Sequence, residues 1–256
     1  MKQGMFTITA NRRLTQNVCE MILAGDTSAC QRPGQFLNIK LDGLFLRRPI
    51  SVCDYDDEEI KIIYKIVGKG TRAMAEMRSG QTLDVLTGLG NGYDSSKAGT
   101  SPVLIGGGVG IPPLYGLLKA LQRQRAAGGL ASGESAGTEK IRVILGFNTV
   151  EEIFYQNEFE AAGAEVLLAT ADGSAGVKGF VTDVLAGLDY SYFYTCGPEA
   201  MFRAIERVAK TSGQYSFEER MGCGFGACMG CSCETKYGSK RICKDGPVLE
   251  REEILW

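Results

Sequence analysis

The sequence predicts a multidomain protein of mixed α+β and α/β class. It reads as an N-terminal antiparallel β-barrel, a central parallel-sheet domain and a small C-terminal cysteine segment. Three observations predict this. Residues 1–98 fall into short strand-like runs cut by Gly, Pro and Asp, the pattern of a barrel or sandwich. Residues 101–210 alternate strand and helix patterns, which implies βαβ units. Residues 215–256 hold a glycine-rich stretch with five of the chain's nine cysteines and little apolar material for a core of their own. The expected boundaries are 1–99, 100–212 and 213–256.

In the first part, the expected strands are Gly4–Ala10, Asn17–Ala24, Gln35–Leu41, Ile50–Tyr55, Glu59–Ile66 and Thr82–Leu86, with one short helix at Thr71–Arg78. Pro33-Gly34 and the run Asp54 to Asp57 supply turns. In the second part, strands at Val103–Gly106, Ile141–Phe147, Glu165–Thr170 and Tyr192–Thr195 alternate with helices at Pro113–Gln124, Glu151–Ala162, Phe180–Ala186 and Glu199–Thr211. The Ala-, Gly- and Ser-rich stretch Arg125–Lys140 reads as a flexible loop. The third part is expected to be organised by whatever its cysteines hold.

Composition narrows the function. A chain of 256 residues with 44% hydrophobic and 23% charged residues is an ordinary globular protein. A net charge of −2 gives no reason to expect a nucleic-acid partner. No run approaches the ~18 apolar residues of a membrane span. The first residues read directly as a strand and not as an export signal, and an odd cysteine count fits a reducing compartment, so a cytoplasmic location is expected. With no histidine in the chain, Ser-His-Asp catalysis, histidine-zinc catalysis and Rieske-type ligation are excluded.

Cys223, Cys228, Cys231 and Cys243 carry the strongest signal. C-x4-C-x2-C followed by a distant cysteine, here twelve residues on, is the plant-type [2Fe-2S] spacing. Two irons and two sulfides need four thiolates, three of which can come from one tight loop. Gly222, Gly224, Gly226 and Gly230 are expected to supply the positive-φ conformations and the lack of Cβ bulk that such a loop needs, with its N–H groups aimed at sulfur. Cys233 is read as a surplus, non-ligating cysteine. A structural zinc site and a disulfide framework are the competing readings; zinc sites usually pair two C-x2-C units or recruit histidine.

Two further constellations point to nucleotides. Arg48-Pro49-Ile50-Ser51 enters a strand with a guanidinium beside a hydroxyl, a pairing that can clamp a pyrophosphate, and Pro49 fixes the local backbone. Ile63-Tyr64-Lys65 and then Gly70-Thr71 follow, the latter opening the short helix where free N–H groups can meet phosphate. Tyr64 is expected to pack against a flavin or its ribityl chain, while Lys65 reads equally as a charge partner and as a solvated lysine. Taken alone, each is also a common turn or cap. Gly106, Gly107, Gly108 and Gly110 lead from a strand into a helix, as a dinucleotide pyrophosphate loop does, but Ile111 stands where the third glycine of G-x-G-x-x-G belongs. A simple tight βα turn is the alternative. Cys196, Gly197 and Pro198 end the fourth strand of this part, where ligands bind in such folds; Cys196 reads either as facing a nicotinamide or as an ordinary buried thiol.

These motifs, in this order and over nearly the whole chain, resemble the ferredoxin–NADP reductase superfamily. The cysteine segment, with Cys243-Lys-Asp-Gly-Pro-Val and Gly88-Leu-Gly-Asn-Gly-Tyr93, narrows the resemblance to the electron-transfer subunits of type B dihydroorotate dehydrogenases. The resemblance implies FAD at Arg48–Ser51, Ile63–Lys65 and Gly70-Thr71, and [2Fe-2S] ligands at Cys223, Cys228, Cys231 and Cys243; NAD is expected at the glycine loop, with Cys196–Pro198 shaping the nicotinamide pocket. It also implies a partner, the FMN-containing catalytic subunit that oxidises dihydroorotate in pyrimidine synthesis, in a heterotetramer of two of each. Departures lie at the nucleotide side: Ala171-Asp172 stands where two acidic residues are expected, and the Arg125–Lys140 loop is long. The physical logic agrees, since NAD exchanges two electrons and a cluster one, so a flavin must stand between them. No residue is expected to act as acid or base. A reductase subunit serving ferredoxin or a sulfur-reducing partner, a redox sensor, and a zinc-stabilised nucleotide-binding protein remain as other readings.

Overall fold

A computed structural model describes residues 1–128 and 140–256. Most of the predicted Arg125–Lys140 loop lies outside the described residues; its first two residues complete a helix. The first six strands are β1 (Lys2–Arg13), β2 (Val18–Ala24), β3 (Phe36–Ile39), β4 (Arg48–Tyr55), β5 (Glu59–Lys65) and β6 (Thr82–Leu89), with helix α1 (Lys69–Glu76) before the last. They close into a barrel in the order β1-β2-β5-β4-β3-β6, each neighbouring pair antiparallel. Alternation places Phe6, Ile8, Met21, Leu23, Leu37, Ile39, Ile60, Ile62 and Val85 inside, so the barrel is a packed core and not a pore.

The second part runs β7 (Val103–Gly107), α2 (Pro112–Ala126), β8 (Arg142–Phe147), α3 (Gln156–Ala161), β9 (Glu165–Thr170), β10 (Val177–Lys178), α4 (Val181–Leu185), β11 (Phe193–Cys196), α5 (Glu199–Val208) and β12 (Gly213–Ser216). The sheet order is β10-β9-β8-β7-β11-β12-β15, parallel except at β15 (Val248–Glu250), which comes from the C-terminal segment. Between β7 and β11 the chain order of the strands reverses, which is where ligands bind in such sheets. Among the described residues, no helix is long and apolar enough to cross a membrane.

The strands and helices foreseen from sequence are all present, with shifted ends. The predicted Glu151–Ala162 helix is shorter than its pattern. A 3₁₀ turn at Val150–Glu152 breaks off, and α3 starts only after Tyr155, whose φ of 66° interrupts the helix. The C-terminal segment is less self-contained than expected. β12 opens it as a strand of the parallel sheet, and β15 pairs on β12. The hairpin of β13 (Ser232–Thr235) and β14 (Gly238–Arg241) lies between them. Cys231, Ile242, Cys243, Leu249 and Ile254 pack with Phe193, Phe202 and Tyr215. The segment thus borrows the apolar face of the α/β domain, and bound metal is not its only organiser.

Candidate functional site: three junctions around one barrel edge

The first junction joins two motifs that lie apart in sequence. Arg48 begins β4, and its side chain lies across Gly70 near the start of α1; a Cβ at Gly70 would sit 2.2 Å from Arg48 Nε. Thr71 turns its hydroxyl back to accept from the N–H groups of Val67 (2.9 Å) and Gly68 (3.2 Å), which closes the loop into the helix. The first N–H groups of α1 have no partner within the helix. The adjacent arginine is spent elsewhere. Arg47 Nη2 grips both carboxylate oxygens of Asp84 at 3.0 Å, and its Nη1 donates to the carbonyls of Asn38 and Asp84. Arg48 donates only to the carbonyls of Leu46 and Arg47, and among the described residues it pairs with no carboxylate. An unpaired guanidinium beside a helix N-terminus and a side-chain-free backbone fits a pyrophosphate.

Pro49, Ile50 and Ser51 continue along β4 half-buried, paired with Asn38, Leu37 and Phe36 of β3. On β5, Ile63 is buried against α2. Tyr64 corrects the expectation that its ring packs on a flavin. The ring is 1% exposed within the barrel core, and its hydroxyl donates to Asn11 Oδ1 at 3.1 Å. Strand alternation turns Tyr64 inward, leaving only its backbone available to a nucleotide. Lys65 is exposed at the end of the strand.

The second junction lies at the sheet's switch point. Gly106 of β7 pairs with Cys196 of β11. A Cβ at Gly110 would stand 2.3 Å from the Cys196 carbonyl oxygen, and one at Gly107 2.7 Å from Met201 Sδ. Gly108, at φ 52°, faces open space. The glycine loop and the Cys196-Gly197-Pro198 turn thus form one surface. Ile111 does not break the loop: its side chain is buried over Gly106, whose missing Cβ makes the room. Burial, offset in part by the Ser216 hydroxyl, pushes the Cys196 thiol up to about 12, so it is protonated and not a nucleophile at neutral pH.

The third junction is the cysteine loop. Two of its four predicted glycines adopt positive φ, Gly224 (78°) and Gly226 (94°), and Met229 adopts the third such conformation at 60°. Gly222 and Gly230 do not adopt positive φ; they supply the other expected property, the lack of a Cβ, and clear space for Cys228 Sγ, which a Cβ would approach to 3.1 and 3.5 Å. Backbone N–H groups are aimed at sulfur. Ala227 (3.2 Å) and Cys228 (3.4 Å) donate to Cys223, Cys223 (3.4 Å) and Gly230 (3.5 Å) to Cys228, and Cys243 (3.4 Å) to Cys231. Burial acts to raise the Cys223 thiol, but the N–H groups of Phe225, Cys228 and Ala227 outweigh it and bring it down to about 6.

The sulfurs form two pairs, Cys223 with Cys228 and Cys231 with Cys243. Among the described residues no three His, Cys, Asp or Glu side chains converge on a point that could hold one metal ion. Two pairs are what two bridged irons require, each taking two thiolates. The inner pair is buried at 2% exposure, whereas Cys228 is exposed. Cys233 lies on β13, outside both pairs.

Two contacts seat this loop on the barrel. Asn38 Nδ2 of β3 donates to the Cys223 carbonyl at 3.2 Å, and Gly224 lies directly against the same amide. Asn91 is the second. Its backbone N–H donates to the Gly246 carbonyl (2.7 Å), its Nδ2 donates to the Val248 carbonyl (2.7 Å), and its Oδ1 accepts from Val248 N–H (3.1 Å). Gly90 leaves no room for a side chain beside Pro247. Tyr93 then donates to the Thr195 carbonyl, next to Cys196. The segment Gly88–Tyr93, noted in sequence only for resemblance, is therefore the bracket where all three parts meet. Sequence reasoning assigned no role to Asn38, because a lone asparagine in a strand pattern carries no signal.

Comparison with known proteins agrees. Residues 218–255 match the iron-sulfur cluster binding domain of dihydroorotate dehydrogenase B, and residues 104–207 match the oxidoreductase NAD-binding domain. The dihydroorotate dehydrogenase B (NAD(+)) electron transfer subunit of Geobacillus sp. (strain WCH70) is 39% identical over 271 residues, covering 100% of this chain and 99% of the relative. That of Bacillus pumilus (strain SAFR-032) is 39% identical over 268 residues, covering 99% and 98%. Among solved structures, an NADH-dependent reduced ferredoxin-NADP oxidoreductase studied for flavin-based electron bifurcation superposes with a TM-score of 0.83 at 27% identity, covering 99% of this chain and 90% of that one. A ferredoxin NADP+ reductase from Neisseria gonorrhoeae shares the fold at 16% identity and a TM-score of 0.66, covering 85% and 100%. By sequence along its whole length, the chain belongs to the family of dihydroorotate dehydrogenase B (NAD(+)) electron transfer subunits.

Proposed function

We propose that this chain carries electrons between NAD and the FMN-containing catalytic subunit of a dihydroorotate dehydrogenase, by way of FAD and a [2Fe-2S] cluster, in pyrimidine synthesis. The flavin supplies the chemistry that couples two-electron exchange with NAD to one-electron exchange with the cluster. The division 1–99, 100–212 and 213–256 then corresponds to FAD, NAD and cluster binding. Arg48 and the N–H groups at Gly70-Thr71 hold the FAD pyrophosphate. Pro49, Ile50 and Ser51, with the backbone of Ile63, Tyr64 and Lys65, line the rest of that site. Gly106, Gly107, Gly108 and Gly110 receive the NAD pyrophosphate, and Cys196, Gly197 and Pro198 bound the nicotinamide. Cys223, Cys228, Cys231 and Cys243 are the cluster ligands.

The observation that carries this reading is the seating of the cysteine loop on Asn38, whose strand neighbour is Pro49 of the flavin motif. This adjacency of the cysteine loop and the flavin motif supports electron exchange between a cluster and a flavin held there. Phe225 and Met229 on the loop are exposed, as are Phe45 (101% exposed) and Leu46 on the barrel turn before Arg47. Phe225 and Met229, flanking exposed Cys228, support docking of the catalytic subunit there. We place the complex in the cytoplasm as two copies of each subunit. The test is anaerobic purification of the complex followed by NADH titration. FAD and FMN near one each per pair, two irons per chain, and bleaching of the cluster by NADH support the reading; flavin without inorganic sulfide refutes it.

A further inference from the structure

The flavin and nicotinamide sites proposed above belong to different domains, so hydride transfer depends on how those domains are held. Beside the Tyr93–Thr195 hydrogen bond, two contacts between them bear on β4, the strand of Arg48–Ser51. The first comes from α2, which starts directly after the glycine loop. Gly116 lies against the Cys53 carbonyl oxygen, where a Cβ would stand at 2.8 Å, and Lys119 pairs with Asp54. The second comes from Tyr155. Its hydroxyl lies beside the Cys53 thiol, two residues beyond Ser51, and donates to Glu20 Oε2 of β2 at 2.7 Å. Glu20 is 3% exposed, and its other oxygen accepts from Arg12 Nε at 2.7 Å.

Neither residue is placed there cheaply. Tyr155 has φ 66° and ψ 6°, a left-handed backbone that a bulky aromatic residue adopts only when its surroundings impose it. Its ring is edge-on to Tyr115 of α2 at 5.3 Å, so the two contacts support each other. A buried carboxylate costs more than an apolar side chain of the same volume and gives direction in return. Burial pushes Glu20 up, while the hydrogen bonds from Arg12 and Tyr155 hold it lowered on balance, so it is an anion at neutral pH.

We propose that the Tyr155–Glu20 pair is an interdomain positioning device that sets the approach of the nicotinamide to the flavin. The proposal rests on the site reading above. Tyr155 touches no reacting atom and is not a catalytic residue; it acts by fixing the α/β domain on the barrel. Misplacing reactants by about 1 Å can cost on the order of 100-fold in rate.

The test is Tyr155→Phe, which keeps the ring and removes one hydroxyl, made in the complete complex and followed by anaerobic stopped-flow. The expected result is wild-type FAD and iron content and an unchanged apparent affinity for NADH. The limiting rate of flavin reduction should fall roughly 10- to 100-fold, with loss of the long-wavelength nicotinamide–flavin charge-transfer absorbance. Glu20→Gln should lower the same rate, because one amide cannot accept from both Tyr155 and Arg12. The double variant should be no slower than the worse single variant. Tyr155→Phe or Glu20→Gln reduced at the wild-type rate with charge transfer intact overturns the proposal. So does a weaker NADH affinity at an unchanged limiting rate, which would make Tyr155 a nucleotide-binding residue. If NADH does not reduce the wild-type flavin at all, the site reading has failed instead.

Discussion

The side-chain amide of Asn38 donates to the Cys223 carbonyl at 3.2 Å, and this bond links the barrel to the first of the four predicted cluster ligands. Asn38 is buried on β3, and Gly224, at φ 78°, approaches its amide too closely to carry a side chain. Replacing Asn38 by Ala leaves a carbonyl of the cysteine loop without its donor, at a cost of about 1–3 kcal/mol. The expected outcome is a variant purified with full FAD whose cluster absorbance bleaches in air several-fold faster than wild type. Equal bleaching rates would mean that the loop is held by Asn91 alone.

Cys228 is the exposed member of the outer sulfur pair. Cys228→Ser is expected to abolish the cluster, read as loss of iron and acid-labile sulfide, with FAD retained. NADH-dependent reduction of small dyes should persist, and reduction through the partner should stop. A full cluster spectrum in this variant would show that the ligand set is wrong.

Arg47 and Arg48 are neighbours with separable roles. Arg47 is bound to Asp84, whereas Arg48 lies over Gly70 and, among the described residues, pairs with no carboxylate. Arg48→Ala is expected to weaken FAD binding roughly 10- to 100-fold, the equivalent of about 1.5–3 kcal/mol for hydrogen bonds to a charged group. Gly70→Ala should do the same by displacing the guanidinium. Arg47→Ala should instead lower the unfolding midpoint and leave the FAD dissociation constant near wild type. Fluorescence titration of the deflavinated protein together with thermal melts separates the two roles.

The contrast between Arg47 and Arg48 shows where the sequence is legible. Strand alternation, βαβ rhythm and cysteine spacing are local patterns, and they gave the barrel and the sheet and singled out Cys223, Cys228, Cys231 and Cys243; the pairing of those sulfurs is visible only in the structure. Contacts between distant segments leave no local trace. Asn38 meets Cys223 across 185 residues, Asn91 meets Val248 across 157, and Tyr155 meets Glu20 across 135. Tyr64 was misread for a related reason: its identity suited a flavin, but strand parity decides which way it faces. β12 and β15 were missed because strands of four and three residues are too short to display a period.

Gly110 is the position at which the nucleotide loop is least tolerant. An added methyl would stand 2.3 Å from the backbone carbonyl of Cys196, which cannot rotate away. Gly110→Ala is expected to raise the Michaelis constant for NADH by roughly ten-fold or more, since the shifted loop no longer meets the pyrophosphate. Flavin and iron content should stay at wild-type levels. Wild-type kinetics would show that the loop does not hold the nucleotide.

The carboxylate of Glu20 makes stability depend on pH in a defined direction. Its surroundings are mixed: Arg12 of β1 and Lys61 of β5 carry positive charge, while Tyr155 donates a hydrogen bond. The Cys53 thiol of β4 lies beside the Tyr155 hydroxyl, and Glu158 of α3 acts on Arg12. Burial raises the acid, the Arg12 and Tyr155 hydrogen bonds outweigh burial, and the net shift is downward from 4.5. For an acid depressed by folding, the stabilisation is fully present above the unfolded-state value and is lost as pH falls through the folded-state value. Glu20→Gln is therefore expected to lower the melting temperature at pH 7, with the gap to wild type narrowing as pH falls below about 4.3. Melting both proteins across pH 3–8 and taking the difference cancels the carboxylates they share. A gap that stays constant across that range would mean that Glu20 is not held as a carboxylate by Arg12 and Tyr155.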